Sequence, residues 1–287
     1  MMNKISVFGS TGFIGGNFCK LYEDEVVTIP RQQRSPATSD ILYLISTTDN
    51  YNVYSDPFID IDTNLKVLIE TLEACKKRKA AGEEIIFNFV SSWFVYGKTE
   101  DLPASEDSFC DPSGFYSITK YAAERLLVSY CETFDLKYRI FRLSNVLGEG
   151  DPGVSNKKNA VQLMIQKLCL GEEINLYHNG DVIRDYLYVD DVSRAMLHCI
   201  RQAPVNEIIN IGSGHPYKIG DLMNYAKEKT NSKSKINSIE PPEFHKIVQI
   251  RNMFLDTKKI NSLGFQPVYS IEEILDKIIK QYNGEGI

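Results

Sequence analysis

The stretch Phe8-Gly-Ser-Thr-Gly-Phe-Ile-Gly-Gly16 decides how this 287-residue chain is read. It follows an apolar run (Ile5, Val7, Phe8) and precedes a helix-like stretch from Asn17 to Tyr22. A strand that turns through glycines into a helix leaves backbone N–H groups free at a positive helix end, a receptor for a pyrophosphate. Gly9 permits the tight turn, Gly12 lets the backbone approach the phosphates, and Gly15 lets helix and strand pack closely. Thr11, Phe13 and Ile14 lie in the same turn and join the glycines as candidate dinucleotide contacts.

Outward from this turn, apolar runs recur as strand candidates: Lys4–Phe8, Glu25–Ile29, Ile41–Ser46, Ile85–Ser91, Tyr138–Leu143 and Ile208–Ile211. Helical patterns separate most of them, notably Asp62–Lys79 and Tyr116–Phe134, and Asp190 and Asp191 precede a third pattern, Val192–Arg201, as N-cap-type residues. Solid apolar strands alternating with helices predict an α/β fold with a parallel, doubly wound sheet of Rossmann type. Only Gln32–Ser39 separates the second and third strand candidates, too few residues for a crossover with its own helix. Passing down the sheet and across one strand needs about 20 Å. The steps from Arg31 to Asp40 reach roughly 30 Å, so an extended loop suffices, and the usual outer strand is expected to be missing.

The bulk properties narrow the partners. A hydrophobic content of 43% with 24% charged residues is that of an ordinary soluble domain. A net charge of −6 without a basic block argues against nucleic acid or an anionic membrane as partner. No apolar stretch is long enough to span a bilayer. The N-terminus reads straight into a strand, unlike a signal peptide. Six scattered cysteines without a CxxC pair fit reduced thiols and a cytoplasmic location. The four histidines are isolated, so no metal site is expected.

The chemistry is sought in Phe89–Gly97 (FVSSWFVYG) and in Tyr116-Ser-Ile-Thr-Lys120. Tyr116 and Lys120, four apart, share a helix face. A phenol ordinarily ionises near pH ~10, and a nearby ammonium lowers that value, so Tyr116 can serve as acid or base. Ser92, at a strand end, can hold a substrate oxygen. The spacing alone is weak, since Tyr225 and Lys229 repeat it on what reads as a helix surface.

With these motifs the whole chain resembles the extended short-chain dehydrogenase/reductase family, the branch of nucleotide-sugar epimerases, dehydratases and reductases. The likeness runs through GSTGFIG, DIDTNLKVLIETLEAC with Asn64, VSSWFVYG, YSITK, RLSNVLG, GDVIRDYLYVDDV, NIGSG and DTKKINSLGFQPVYSIEE. It implies a dinucleotide-binding domain (1–149 plus about 186–212) and a smaller α/β substrate-binding domain (about 150–185 plus 213–287). It implies Tyr116 as acid/base at a sugar carbinol or ketone, Ser92 orienting the same oxygen, and Lys120 on the nicotinamide ribose. Thr47 and Asn64 are implied as further cofactor contacts, and Asn145 and Arg184 as substrate contacts, the arginine on a pyrophosphate. A surface ion pair between Arg184 and Asp185 is the plainer reading. Lys246 and Arg251 are candidates for the substrate phosphates. The two long helices form the dimer bundle in many relatives, so a homodimer is expected.

Two departures from the family pattern bear on the reaction. Dehydratases carry Asp-Glu after the catalytic hydroxyl residue, whereas this chain has Trp93 and Phe94, so 4,6-dehydration is not expected and the pair can line the sugar pocket. NAD-binding members place an acidic residue at the end of the second strand, whereas here Pro30 is followed by Arg31 and Arg34, suited to a 2′-phosphate. NADP(H) is therefore the expected cofactor, with NAD(H) the alternative. The leading reading is a 4-keto reductase of a nucleotide-linked 4-keto-6-deoxy sugar, in a deoxysugar or O-antigen type pathway. The alternatives are a nucleotide-hexose 4-epimerase with retained NAD and, in another class, a dinucleotide sensor without turnover.

Overall fold

A computed structural model describes residues 4–99, 101–155 and 158–284. Its centre is a sheet of β1 (Ile5–Phe8), β2 (Val26–Ile29), β3 (Asp40–Tyr43), β4 (Ile86–Ser92), β5 (Lys137–Leu143) and β6 (Glu207–Ile211). The order is β6-β5-β4-β3-β1-β2, with every neighbouring pair parallel. All six strand expectations fall in this sheet. The third ends earlier than expected, at Tyr43, because Ser46 and Thr47 turn away to bond Asn64.

β2 is the sheet edge, as the short connection required, with no strand beyond it among the described residues. Residues 30–39 contain neither helix nor strand and carry the chain across β1. The fully buried Ser6 accepts the N–H groups of Ala37 and Thr38, both at 2.9 Å. Arg78 donates to the carbonyls of Pro36 (2.8 Å) and Thr38 (3.0 Å). These bonds satisfy backbone groups of a segment that has no ladder of its own.

Seven helices matter here: α1 (Phe13–Leu21), α2 (Val67–Ala80), α3 (Phe115–Thr133), α4 (Ala160–Cys169), α5 (Val189–Gln202), α6 (Ile219–Lys229) and α7 (Ile271–Asn283). One apolar cluster joins Val7, Leu42 and Phe141 to Phe18 of α1 and Met196 of α5. It continues through Ile165, Met223 and Ile274 into α4, α6 and α7, beside the paired strands Ile174–Tyr177 and Ile236–Ile239. On the other face Tyr43 and Phe89 pack against Leu68 and Leu72 of α2 and Leu127 of α3. Beneath α3 a buried ion pair joins Arg142 to Glu124 at 2.7 Å.

The expected caps of α5 lie elsewhere: Tyr188 is its N-cap, and Asp190 and Asp191 fall inside its first turn. Asp191, fully buried, accepts the N–H groups of Val268 and Tyr269 at 3.0 Å each, so its carboxylate ties down the C-terminal segment.

The glycine turn takes the geometry its sequence demands. Gly9 has φ +83°, and a Cβ on Gly15 would stand 2.2 Å from the Gly9 carbonyl oxygen, whereas one on Gly16 would find its nearest neighbour at 3.4 Å. Gly15→Ala is therefore expected to cost about 1–3 kcal/mol and Gly16→Ala no more than about 0.5 kcal/mol, as read from urea midpoints. A Gly15→Ala midpoint at or above wild type would contradict the close packing.

Candidate active site

The C-terminal ends of β1, β3, β4 and β5 open into a cleft of about 1400 Å³, larger than the roughly 300–1,000 Å³ of a single small-ligand site. Gly9, Gly12, Phe13, Ile14 and Gly15 line one end. Gly12 is the N-cap of α1, and no side chain caps this helix, which leaves first-turn N–H groups for a ligand. With the Gly15 approach, this cradle fits a dinucleotide pyrophosphate. Thr11 is exposed and outside the lining.

β4 ends in Ser92, whose hydroxyl accepts the Phe94 N–H at 3.3 Å and starts the short helix Trp93–Tyr96. α3 begins at Phe115, so Tyr116 and Lys120 occupy its first turns, and all three expected catalytic residues line the cleft. Burial pushes the Tyr116 phenol up to about 12; the hydrogen bond with Ser92 opposes this and the charge of Asp60 adds to it. Burial pulls the Lys120 ammonium down to about 7, with Glu124 opposing. Its Nζ lies over the Phe89 ring, 4.3 Å from the centroid. The expectation that Lys120 lowers the Tyr116 value is therefore not met by this geometry. The desolvation that keeps the phenol protonated also weakens the cation that was to oppose it.

Asn64 needs a revised placement, whereas Thr47 lies at the cleft as expected. Asn64, 2% exposed, lies behind the cleft wall in the π-helical turn Asp62–Lys66. Its amide donates to Thr47 Oγ1 (2.8 Å) and to Thr119 Oγ1 of α3 (2.9 Å), and its oxygen accepts from Thr47 N and Ser46 Oγ. It holds the wall to the catalytic helix, while Thr47 lines the cleft. Arg31 and Arg34 do not line it. Arg34 donates to Glu70 of α2 at 2.8 Å and to the Arg31 carbonyl at 2.8 Å, and Arg31 is exposed.

At the other end Trp93 and Phe94 form an apolar wall, their rings stacked at 4.0 Å, with Phe94 edge-on to Tyr116 at 5.9 Å. The Arg184 guanidinium lies 5.0 Å from the Trp93 ring. It is 8% exposed and donates only to carbonyls, those of Ile183, Arg251 and Ile250. The ion pair with Asp185 does not form. Asp185 points the other way and accepts from Ser213 N and Oγ, Gly214 N and Leu255 N. Asn145 lines the cleft and donates to the Asp185 carbonyl at 2.9 Å. Lys246 and Arg251 reach the rim, engaged with Glu243 (2.7 Å) and Asp181 (3.1 Å). Tyr225 and Lys229 sit outside the cleft, both bonded to Asp276.

The sequence reading missed Asp60, Tyr51, Tyr177 and His245. Asp60 is fully buried and accepts from Thr47 and from Asn52 at 3.2 Å. Tyr51, Tyr177 and His245 line the cleft, and Tyr51 Oη lies 2.6 Å from His245 Nδ1. These residues sit in helices and a strand of only three to six residues, too short to show a period, and only the proximity of His245 to Lys246 offered a signal.

With this geometry in hand, the comparisons with known proteins identify the class. Residues 41–212 match the model of the NAD dependent epimerase/dehydratase family, more than half the chain, and the protein belongs to that family. A UDP-glucose 4-epimerase of Mycolicibacterium smegmatis is 26% identical over 80% of this chain and 72% of its own length. A dTDP-4-dehydro-6-deoxyglucose reductase of Escherichia coli is 29% identical over 69% of this chain and 61% of its own. The crystal structure of a Thermotoga maritima UDP-glucose 4-epimerase with UDP-glucose superposes with a TM-score of 0.85 at 27% identity, covering 97% of this chain and 98% of that one. The RMD structure from Pseudomonas aeruginosa with NADPH shares the fold, with a TM-score of 0.85 at 21% identity and 99% coverage of both chains. The chain is thus a member of a dinucleotide-binding enzyme family, similar to nucleotide-sugar epimerases and reductases.

The burial of Lys120 has a measurable consequence. Its ordinary value is 10.5 and its folded value about 7, so between these the folded chain binds fewer protons than the unfolded one. The stability contribution of this group is therefore lowest below pH 7 and rises towards 10.5. Calorimetry at pH 6, 8 and 10 is expected to show Lys120→Met melting above wild type at pH 6, with the advantage shrinking as pH rises. An advantage that grows with pH would rule out the desolvation cause.

Proposed function

We propose that this enzyme is an NADPH-dependent 4-keto reductase of a nucleotide-linked 4-keto-6-deoxy sugar. The observation that carries the reading is the line from Tyr116 across Phe94 and Trp93 to Arg184. A protonated phenol, an apolar wall and a buried cation without a carboxylate partner follow one another along the cleft. The phenol suits proton delivery to a carbonyl oxygen, the wall suits a C6 methyl, and the cation suits a diphosphate. In this reading residues 1–149 with about 186–212 hold the dinucleotide and the remainder holds the sugar nucleotide.

When bound, the reduced nicotinamide supplies the hydride to C4. Ser92 orients the carbonyl oxygen, and Tyr116 gives its Oη proton to that oxygen, so the ketone becomes a secondary alcohol. Lys120 holds the ribose. Trp93 and Phe94 exclude water beside the reacting carbon, and Asn145 borders the same region. Arg31 meets the 2′-phosphate, joined by Arg34 when that side chain leaves Glu70. The pairing of Arg34 with Glu70 favours a second reading, a 4-epimerase that retains NAD.

Identification of any nucleotide released on denaturation separates the two. The expected result is a protein without tightly held NAD that binds NADPH better than NADH and loses the preference in Arg31→Ala with Arg34→Ala. Retained NAD would replace the reductase by the epimerase. Tyr116→Phe is expected to lower kcat for reduction by about 10²- to 10⁴-fold.

We also propose a homodimer through α2 and α3. Ile61 and Ile69, and Ile118 and Leu126, are exposed pairs eight residues apart, on neighbouring helical segments. Light scattering is expected to give twice the 32.6 kDa chain mass, and a monomer would remove the assignment. The six free cysteines favour a cytoplasmic setting, and no described helix is long and apolar enough to cross a membrane.

A further inference from the structure

The three cations expected at the substrate phosphates are already engaged within the protein. Lys246 is paired with Glu243 and Arg251 with Asp181, both at the exposed rim. Of these three cations Arg184 is the buried one, and three of its five N–H donors go to carbonyls. A substrate diphosphate presents more acceptor oxygens than the remaining Arg184 donors satisfy.

Beside Arg184 stands a half-buried imidazole with a defined tautomer. The short helices Asn50–Tyr54 and Glu243–Val248 meet across the cleft, and Tyr51 Oη lies 2.6 Å from His245 Nδ1. Of these two groups the phenol is the stronger acid and the imidazole nitrogen the stronger base, so O–H···N is the favoured arrangement. With Nδ1 accepting, the neutral ring carries its proton on Nε2. Among the described residues His245 Nε2 has no hydrogen-bond partner, while His245 lines the cleft. Ring contacts fix the imidazole in place: Tyr177 at 5.0 Å and Tyr51 at 6.0 Å, with Phe244 edge-on to Tyr51 at 5.1 Å. Burial and the charge of Arg184 both lower the His245 value, which keeps the ring neutral and the tautomer argument intact at pH 7.

We infer that His245, locked by Tyr51, donates its Nε2–H to a phosphate oxygen of the substrate diphosphate as the second donor beside Arg184. The inference rests on the nucleotide-sugar reading above and adds a residue that confers preference for phosphorylated ligands. It also makes the Tyr51–His245 contact part of the binding site, so that ligand affinity depends on a segment 194 residues away in sequence.

The test measures calorimetric affinities of the purified full chain for UDP, dTDP, GDP and CDP and for the matching nucleosides. His245→Phe keeps an aromatic ring against Tyr177 and Tyr51 but removes the donor, and His245→Gln retains an N–H. For the diphosphate that wild type binds best, His245→Phe is expected to weaken binding roughly ten- to hundredfold, with nucleoside affinity unchanged and with His245→Gln recovering most of the loss. Undiminished diphosphate binding in His245→Phe would overturn the inference, as would an equal loss for diphosphate and nucleoside, which would make His245 a shape element only. Either result leaves the nucleotide-sugar reading standing. Failure of wild type to bind any of the four diphosphates would overturn both.

Discussion

One buried carboxylate, that of Asp185, holds the site together. It is 1% exposed and accepts from Ser213, Gly214 and Leu255, segments that follow β6 and precede the C-terminal helices. Its carbonyl oxygen accepts from the backbone and side chain of Asn145, just beyond β5. Three stretches distant in sequence are thereby clamped to one residue. Adjacent residues of an extended chain face opposite ways, so anchoring Asp185 inward aims Arg184 at the cleft. A buried carboxylate without these donors would be costly, and the four hydrogen bonds oppose the rise that burial imposes on it.

Desolvation is the common cause behind the site's electrostatics. It raises the Tyr116 phenol and lowers the Lys120 ammonium and the Arg184 guanidinium, the last to about 10. All three shifts favour the neutral form, and each group lines the cleft. The aromatic wall between Tyr116 and Arg184 contributes to this desolvation, since Trp93 and Phe94 bring no polar group except the indole N–H. The same low polarity gives hydrogen bonds in the cleft more weight than they have at the exposed rim, where Lys246 and Arg251 keep their ion pairs.

Much of this was legible in the sequence, and the exceptions share a pattern. The strands were visible because buried β-runs are mainly apolar, with polar residues such as Ser6 and Arg142 as single interruptions, and the glycine turn because Gly15 must stand against the Gly9 carbonyl. The missing outer strand followed from counting residues between Ile29 and Asp40. Ser92, Tyr116 and Lys120 were legible as a strand end and one turn of helix. Asn64 was found but misplaced, because spacing does not reveal which face of a wall a side chain joins. The pairing of Arg34 with Glu70 and of Tyr51 with His245 could not be read, since each joins segments whose contact is fixed only by the finished fold. The depressed value of Lys120 depends on depth, which a one-dimensional pattern does not record.

The direct passage from β2 to β3 also bears on how the chain is assembled. In chain order β1 pairs with β2, and β3 lies on the free side of β1. Each later strand joins the edge left by the strand before it, β4 on β3, β5 on β4 and β6 on β5. A chain that leaves the ribosome N-terminus first therefore meets, at every step, an edge that has already been made. The sheet needs no late insertion between neighbours, and β2, only four residues long, is left with a single partner, as is β6 at the opposite edge. The shortness of β2 limits the length of backbone offered to other chains during synthesis.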